Sequence, residues 1–127
     1  MFARKIDEGN RGEDIATQYL IEKGYKIIAR NFRIRGGEID IIAIDPSTGS
    51  GLNSTLVFIE VKTRTSLQYG TGLESITHWK LKALVKSAEF YKLQHKNLPD
   101  LMRIDAVVVM LDRFNDVDSI ELVKNIS

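Results

Sequence analysis

An α/β fold in the order helix, three strands, helix, two strands is predicted for this 127-residue chain by three observations. Apolar residues recur at helical spacing over 9–23 and again over 76–91. Two runs, 38–45 and 56–64, are apolar on both faces except for a few charges, as central strands are. A third apolar run, 104–111, follows the second helix.

In the first helix Ile15, Ala16, Tyr19 and Leu20 form the apolar stripe, and Gly24 supplies the C-terminal stop. Gly9, Gly12 and Ala16 project on the same side as Tyr19 and Leu20, so the helix start carries little bulk and close packing on a sheet is expected. Glu13 borders that stripe and is expected to reach inward. Residues 25–34 read as the first strand, broken by the polar Arg30-Asn31 pair and ended at Gly36-Gly37.

A period of two over 38–45 sets Glu38, Asp40, Ile42 and Ile44 on one face and Ile39, Ile41 and Ala43 on the other. Over 56–64 it sets Leu56, Phe58, Glu60 and Lys62 on one face and Val57, Ile59 and Val61 on the other. The loop-rich stretch 45–54 reads as the turn between them. After a glycine-containing loop over 65–72, Ser75 or Thr77 caps a second helix running to Gln94, with Ile76, Leu84, Ala88 and Tyr91 as its stripe. Pro99 ends the linker, 104–111 forms a strand, and 120–123 closes the chain's last one.

One domain spanning 1–127 is expected from the length. Hydrophobic residues at 43% and charged residues at 28% match an ordinary globular composition. No stretch approaches the ~20 apolar residues that cross a bilayer, and the opening residues lack a signal-peptide core, so a cytoplasmic location without membrane association is expected. The absence of cysteine excludes disulfides, thiolate zinc sites and cysteine nucleophiles. With 18 Lys and Arg against 17 Asp and Glu, the net charge of +1 requires any nucleic-acid surface to be local.

If 46–54 closes a hairpin about its middle, Asp40 falls opposite Glu60 and Glu38 opposite Lys62. Facing carboxylates would then have Cβ atoms about 4.5–5.5 Å apart, near enough to share a cation. Such a pair on buried strands repels and loses hydration unless something positive intervenes. Mg²⁺ or Mn²⁺ takes oxygen ligands of this kind and keeps waters for substrate, which makes Asp40 and Glu60 a half-shell. Lys62, two residues beyond Glu60 on the same face, is placed to stabilise charge developing on a phosphate. Glu13 is a third candidate ligand, with a helix-terminal carboxylate as its plain alternative. Arg64, Lys80 and Lys82 are candidates for a phosphate-binding rim. Asp105 can join the site or serve as a paired structural acid. Trp79 and Tyr69 are expected to pack, with base stacking as the alternative, and His78 and His95 are expected at the surface.

The run Gly9-Asn10-Arg11-Gly12-Glu13, then Gly24-Tyr25, Arg30-Asn31, Gly37-Glu38-Ile39-Asp40 and Phe58-Ile59-Glu60-Val61-Lys62-Thr63-Arg64, with Lys80 and Arg103-Ile104-Asp105, resembles the YraN-like family of bacterial proteins over nearly the whole chain. That family is similar to the restriction-endonuclease-like superfamily, archaeal Holliday-junction resolvases in particular. The resemblance implies an α/β/α arrangement around a central mixed sheet, with Glu13, Asp40 and Glu60 as metal-side acids and Lys62 as the catalytic lysine. Ile39 stands where the superfamily pattern has a proline. A Mg²⁺-dependent endonuclease acting on DNA, branched or damaged, is the implied activity. The alternative is a non-catalytic nucleic-acid-binding module on the same fold. A homodimer would supply two centres for cutting two strands.

Overall fold

Strands that are apolar on both faces need cover on both sides, and the two helices supply it. The computed structural model describes residues 2–65 and 76–127, with the backbone alone for residues 2–9. Tyr69, Ser75 and most of the loop expected over 65–72 lie outside the described residues.

Helix α1 (Phe2–Glu22) is followed by strands β1 (Lys26–Ile34), β2 (Gly37–Asp45) and β3 (Thr55–Thr65), helix α2 (His78–Gln94), and strands β4 (Leu101–Leu111) and β5 (Val117–Val123). The five strands form one sheet in chain order. Neighbours are antiparallel except β3 and β4, which run parallel with α2 as their crossover. The sheet is therefore mixed.

Ala16 and Leu20 of α1 pack with Ile41, Ala43, Val57, Ile59, Val107 and Val109 on one face. Leu84, Ala88 and Tyr91 of α2 pack with Ile42, Leu56, Phe58 and Ile104 on the other. The arrangement is α/β/α, and the element order is the one expected from the sequence. Among the described residues no helix is long and apolar enough to cross a membrane.

Four boundaries differ from expectation, among them that of β5, which begins at Val117 rather than at 120. α1 begins at Phe2 rather than Gly9, through a charged opening that shows no apolar stripe. β4 begins at Leu101, three positions before the apolar run starts, because parallel pairing with β3 from Thr55↔Leu101 onward extends it through exposed residues. α2 begins at His78 with Thr77 as its cap, the Thr77 hydroxyl accepting the Lys80 N–H at 3.1 Å, so Ile76 precedes the helix.

One face assignment is also corrected. Ile39 packs with Ile42, Phe58 and Leu84 on the α2 side instead of with Ile41 and Ala43. Its partner Phe32 does the same, meeting the Tyr91 ring edge-on at 4.9 Å, whereas Arg30, paired with Ile41, turns to α1. Between the two pairs Asn31 adopts φ 54, a left-handed conformation that breaks the alternation of an extended strand. The change of face falls at Asp40.

Close packing in the middle of α1 rests on Gly12, where a Cβ would collide with the Thr63 side chain. Gly37 plays the corresponding part beneath α2, facing Ser87 and the Ala83 carbonyl. Gly12→Leu is expected to destabilise the protein by about 1–3 kcal/mol through overpacking at the α1–β3 contact. Urea unfolding measures it, and an unchanged midpoint would contradict the close approach.

Candidate active site

The hairpin of β2 and β3 is paired from Ile41↔Ile59 to Asp45↔Thr55. One step beyond, the same register brings Asp40 opposite Glu60. There the Asp40 Oδ2 accepts the Val61 N–H at 2.8 Å, so a side chain stands in for the sheet's next hydrogen bond. Glu38 lies outside the paired register and meets Arg33 at 3.4 Å rather than Lys62.

Glu60 is 4% exposed. A carboxylate so placed needs positive partners, and it has two. Lys80 Nζ lies 2.6 Å and Lys62 Nζ 3.3 Å from the same oxygen, Oε2. Lys80 comes from the first turn of α2 and Lys62 from the same strand, so sheet and crossover helix meet at this acid.

Burial pushes the Asp40 carboxyl up to about 7; the charges of Glu60, Glu13 and Glu38 add to the rise and the Val61 N–H opposes it. Burial also lowers Lys62, helped by Lys80 and opposed by Glu60. Lys80 is raised: burial pulls it down, but the bond and charge of Glu60, with Lys62 and Asp40, together outweigh that. Asp40, Glu60 and Lys80 line a groove of about 300 Å³ floored by Gly36 and Gly37 and walled by Glu38, Ala83 and Leu84.

Glu13 is 8% exposed and reaches inward. Arg30 holds it, with Nε 2.9 Å from Glu13 Oε1, while the same guanidinium binds Asp14 at 2.7 Å. Among the described residues no three Asp, Glu or His lie together as a group able to hold a metal ion. Glu13 is paired with Arg30, and its charge, like that of Glu60, still reaches Asp40. Arg30 carries a role that sequence reasoning did not give it, and its only signal was the polar Arg30-Asn31 break in an otherwise apolar strand.

The expected phosphate rim divides. Lys80 is turned onto Glu60. Arg64 is half-buried on β3. Lys82 is exposed on α2, its ammonium 5.5 Å from the Trp79 ring centre. Trp79 does not pack inside: it is 75% exposed. His78 is exposed too, whereas His95 is half-buried and stacks on Tyr91 at 3.9 Å. Asp105 is wholly buried on β4 opposite Ile59, bound by Arg103 Nε at 2.8 Å, and does not line the groove.

The donors facing the groove are hard oxygens, and the Asp40 carboxyl is raised by burial and, with it, by neighbouring negative charge. Both features fit a divalent cation of the Mg²⁺ class at Asp40 and Glu60. The lysine ammonium on Glu60 supplies positive charge at that same oxygen.

A family model, the Uncharacterised protein family UPF0102, matches residues 12–109, a span that takes in Glu13, Asp40, Glu60, Lys62 and Lys80. A UPF0102 protein of Caldicellulosiruptor saccharolyticus is 40% identical over 121 residues, covering 95% of this chain and 97% of its own. One from Chlorobium limicola is 44% identical over 85% of this chain and 78% of its own, and one from Clostridium kluyveri 40% over 94% and 92%.

Proposed function

We propose, for a chain that belongs to the uncharacterised protein family UPF0102, also known as the YraN family, that it is a metal-dependent endonuclease hydrolysing phosphodiester bonds in DNA, including branched or damaged DNA, in the cytoplasm. The observation that carries the reading is the buried Glu60 carboxylate beside Asp40 at the lip of an open groove, with Lys62 and Lys80 on it.

Asp40 and Glu60 would hold Mg²⁺ or Mn²⁺, which when bound supplies a Lewis acid for the phosphoryl oxygens. The residues of the chain do the remaining work. The Val61 N–H fixes the Asp40 carboxylate against β3. Lys62, on a strand and therefore rigidly placed, offers an ammonium to the charge that grows on the phosphoryl group as water attacks. Lys80 neutralises Glu60 in the free protein, and its ammonium would be placed to meet the substrate backbone. Glu13 steadies Arg30 and adds negative charge behind Asp40.

The test offers purified protein flapped, forked, four-way and single-stranded DNA with Mg²⁺ or Mn²⁺, beside Asp40→Ala and Lys62→Ala. Cleavage that both substitutions remove is expected. No cleavage of any substrate, or cleavage that Asp40→Ala leaves intact, overturns the proposal.

A second reading, a non-catalytic nucleic-acid-binding module, is favoured by one observation: Glu60 is satisfied by two lysines and Glu13 by Arg30. Nucleic-acid binding that is indifferent to metal and survives Glu60→Ala would select it.

A further inference from the structure

We propose that the outer face of α2 beside the acidic groove holds an unpaired nucleobase stacked on Trp79, so that the substrate class is a nucleic acid whose strand is single-stranded next to the scissile phosphate. The inference deepens the reading above and rests on its nucleic-acid part.

Trp79 is 75% exposed, while its neighbour in sequence, Lys80, reaches Glu60. An indole left in water forgoes the burial that makes this side chain useful inside a protein. Its position is set by the helix: the turn that aims Lys80 at the acids aims residue 79 outward, within one turn of the groove. The ring is flanked by Lys82, 5.5 Å from its centre, and by the His78 ring, edge-on at 5.8 Å.

A second groove, of about 490 Å³, runs along this face, lined by His78, Leu81, Lys82, Val85 and Lys86, with Glu89 and Ser127 at its margin. Gly36 and Ala83 line both grooves, so the two lie side by side. A chain leaving Glu60 therefore passes Lys82 and Lys86, spaced for neighbouring phosphates on one helix face.

An exposed aromatic platform with lysines beside it, here Lys82 over the ring and Lys86 one turn further along the helix, is the combination that binds single strands. The choice against a duplex follows from geometry: an indole stacks on an open base face, and paired bases hide theirs against one another. A methyl-sized or aliphatic partner would not require the cations, and a polyanion alone would not require the ring.

Trp79 is the only tryptophan in the chain, so its emission reports stacking without any cleavage. In the presence of a chelator, oligothymidylate and oligouridylate are titrated separately, and a duplex alongside. Saturable quenching by a single strand and little by the duplex is expected, the two strands deciding between DNA and RNA. Anisotropy of a labelled strand should show binding about five- to a hundredfold weaker in Trp79→Ala and largely restored in Trp79→Phe. Absence of quenching by either strand, equal quenching by the duplex, or unchanged affinity in Trp79→Ala overturns the inference. Quenching without cleavage by the wild type sinks the nuclease reading and leaves the base site standing. Cleavage without quenching does the reverse.

Discussion

Arg103→Ala is expected to lower stability by about 3–5 kcal/mol, because it strips the counter-charge from two buried acids at once. Asp105 is 0% and Asp45 1% exposed. Arg103 donates to Asp105 at 2.8 Å from both Nε and Nη2, and from Nη2 to Asp45 at 3.0 Å and to the Tyr25 hydroxyl at 3.3 Å. Tyr25 in turn donates to Asp45 at 3.2 Å, Ser47 donates to it from both N and Oγ, and the Asn125 N–H binds Asp105 at 2.8 Å. The network ties β2, β4, Tyr25 between α1 and β1, and the last residues of the chain together.

Burial alone would raise the Asp45 carboxyl, but its bonds from Ser47, Arg103 and Tyr25 outweigh that and hold it at about 2. A lowered acid stabilises the fold fully above its ordinary value near 4, and the contribution is lost as pH falls through about 2. The penalty of Arg103→Ala should therefore shrink in acid. Adding Asp105→Asn to Arg103→Ala should recover part of the loss by removing one uncompensated charge. Urea unfolding at pH 7 and pH 3 measures both, and a single-variant loss under about 1 kcal/mol, the range of an exposed pair, would show that the network does not hold these elements together.

The same network shows where a sequence stops being legible. Arg103, Asp105 and Asp45 are polar interruptions of apolar strands, visible as such, but Arg103 and Asp45 lie 58 positions apart and only the sheet order joins them. Local periodicity carries no information about that order. The helices and central strands were readable because burial imposes a period on them: Leu84, Ala88 and Tyr91 on α2, and Val57, Ile59 and Phe58 on β3, are buried where the pattern puts them. The β2–β3 hairpin followed from the turn residues between those strands. The bend at Asn31 was not readable, since asparagine tolerates positive φ without demanding it. That bend is what turns Phe32 and Ile39 to α2 and leaves Arg30 facing Glu13. Glu13 reaches inward as expected, and the bend explains why Arg30 meets it there.

Asp40→Asn is expected to make the metal-free protein more stable and to abolish its cleavage. The amide oxygen of asparagine still accepts the Val61 N–H while the charge facing Glu60, Glu13 and Glu38 disappears. The carboxyl is pushed up to about 7 in the fold, against an ordinary value near 4 in the unfolded chain. A raised acid weakens the fold by an amount that is nil below the ordinary value, grows as pH rises, and is complete above the folded value. At about 1.4 kcal/mol for each tenfold change in acidity, the penalty removed by Asn at pH 8 is of the order of 2–4 kcal/mol. Urea unfolding in a chelator should show that gain at pH 8 and none at pH 4; equal midpoints at pH 8 would mean that Asp40 carries no strain. Mg²⁺ should close the gap from the other side, stabilising the wild type by about 2.7 kcal/mol at a hundredfold excess over Kd and leaving Asp40→Asn unmoved. Loss of a ligand and of charge at a phosphoryl-transfer centre costs at least about a hundredfold in rate. A variant that gained stability yet kept its cleavage would separate the strained carboxylate from the chemistry and move the site elsewhere.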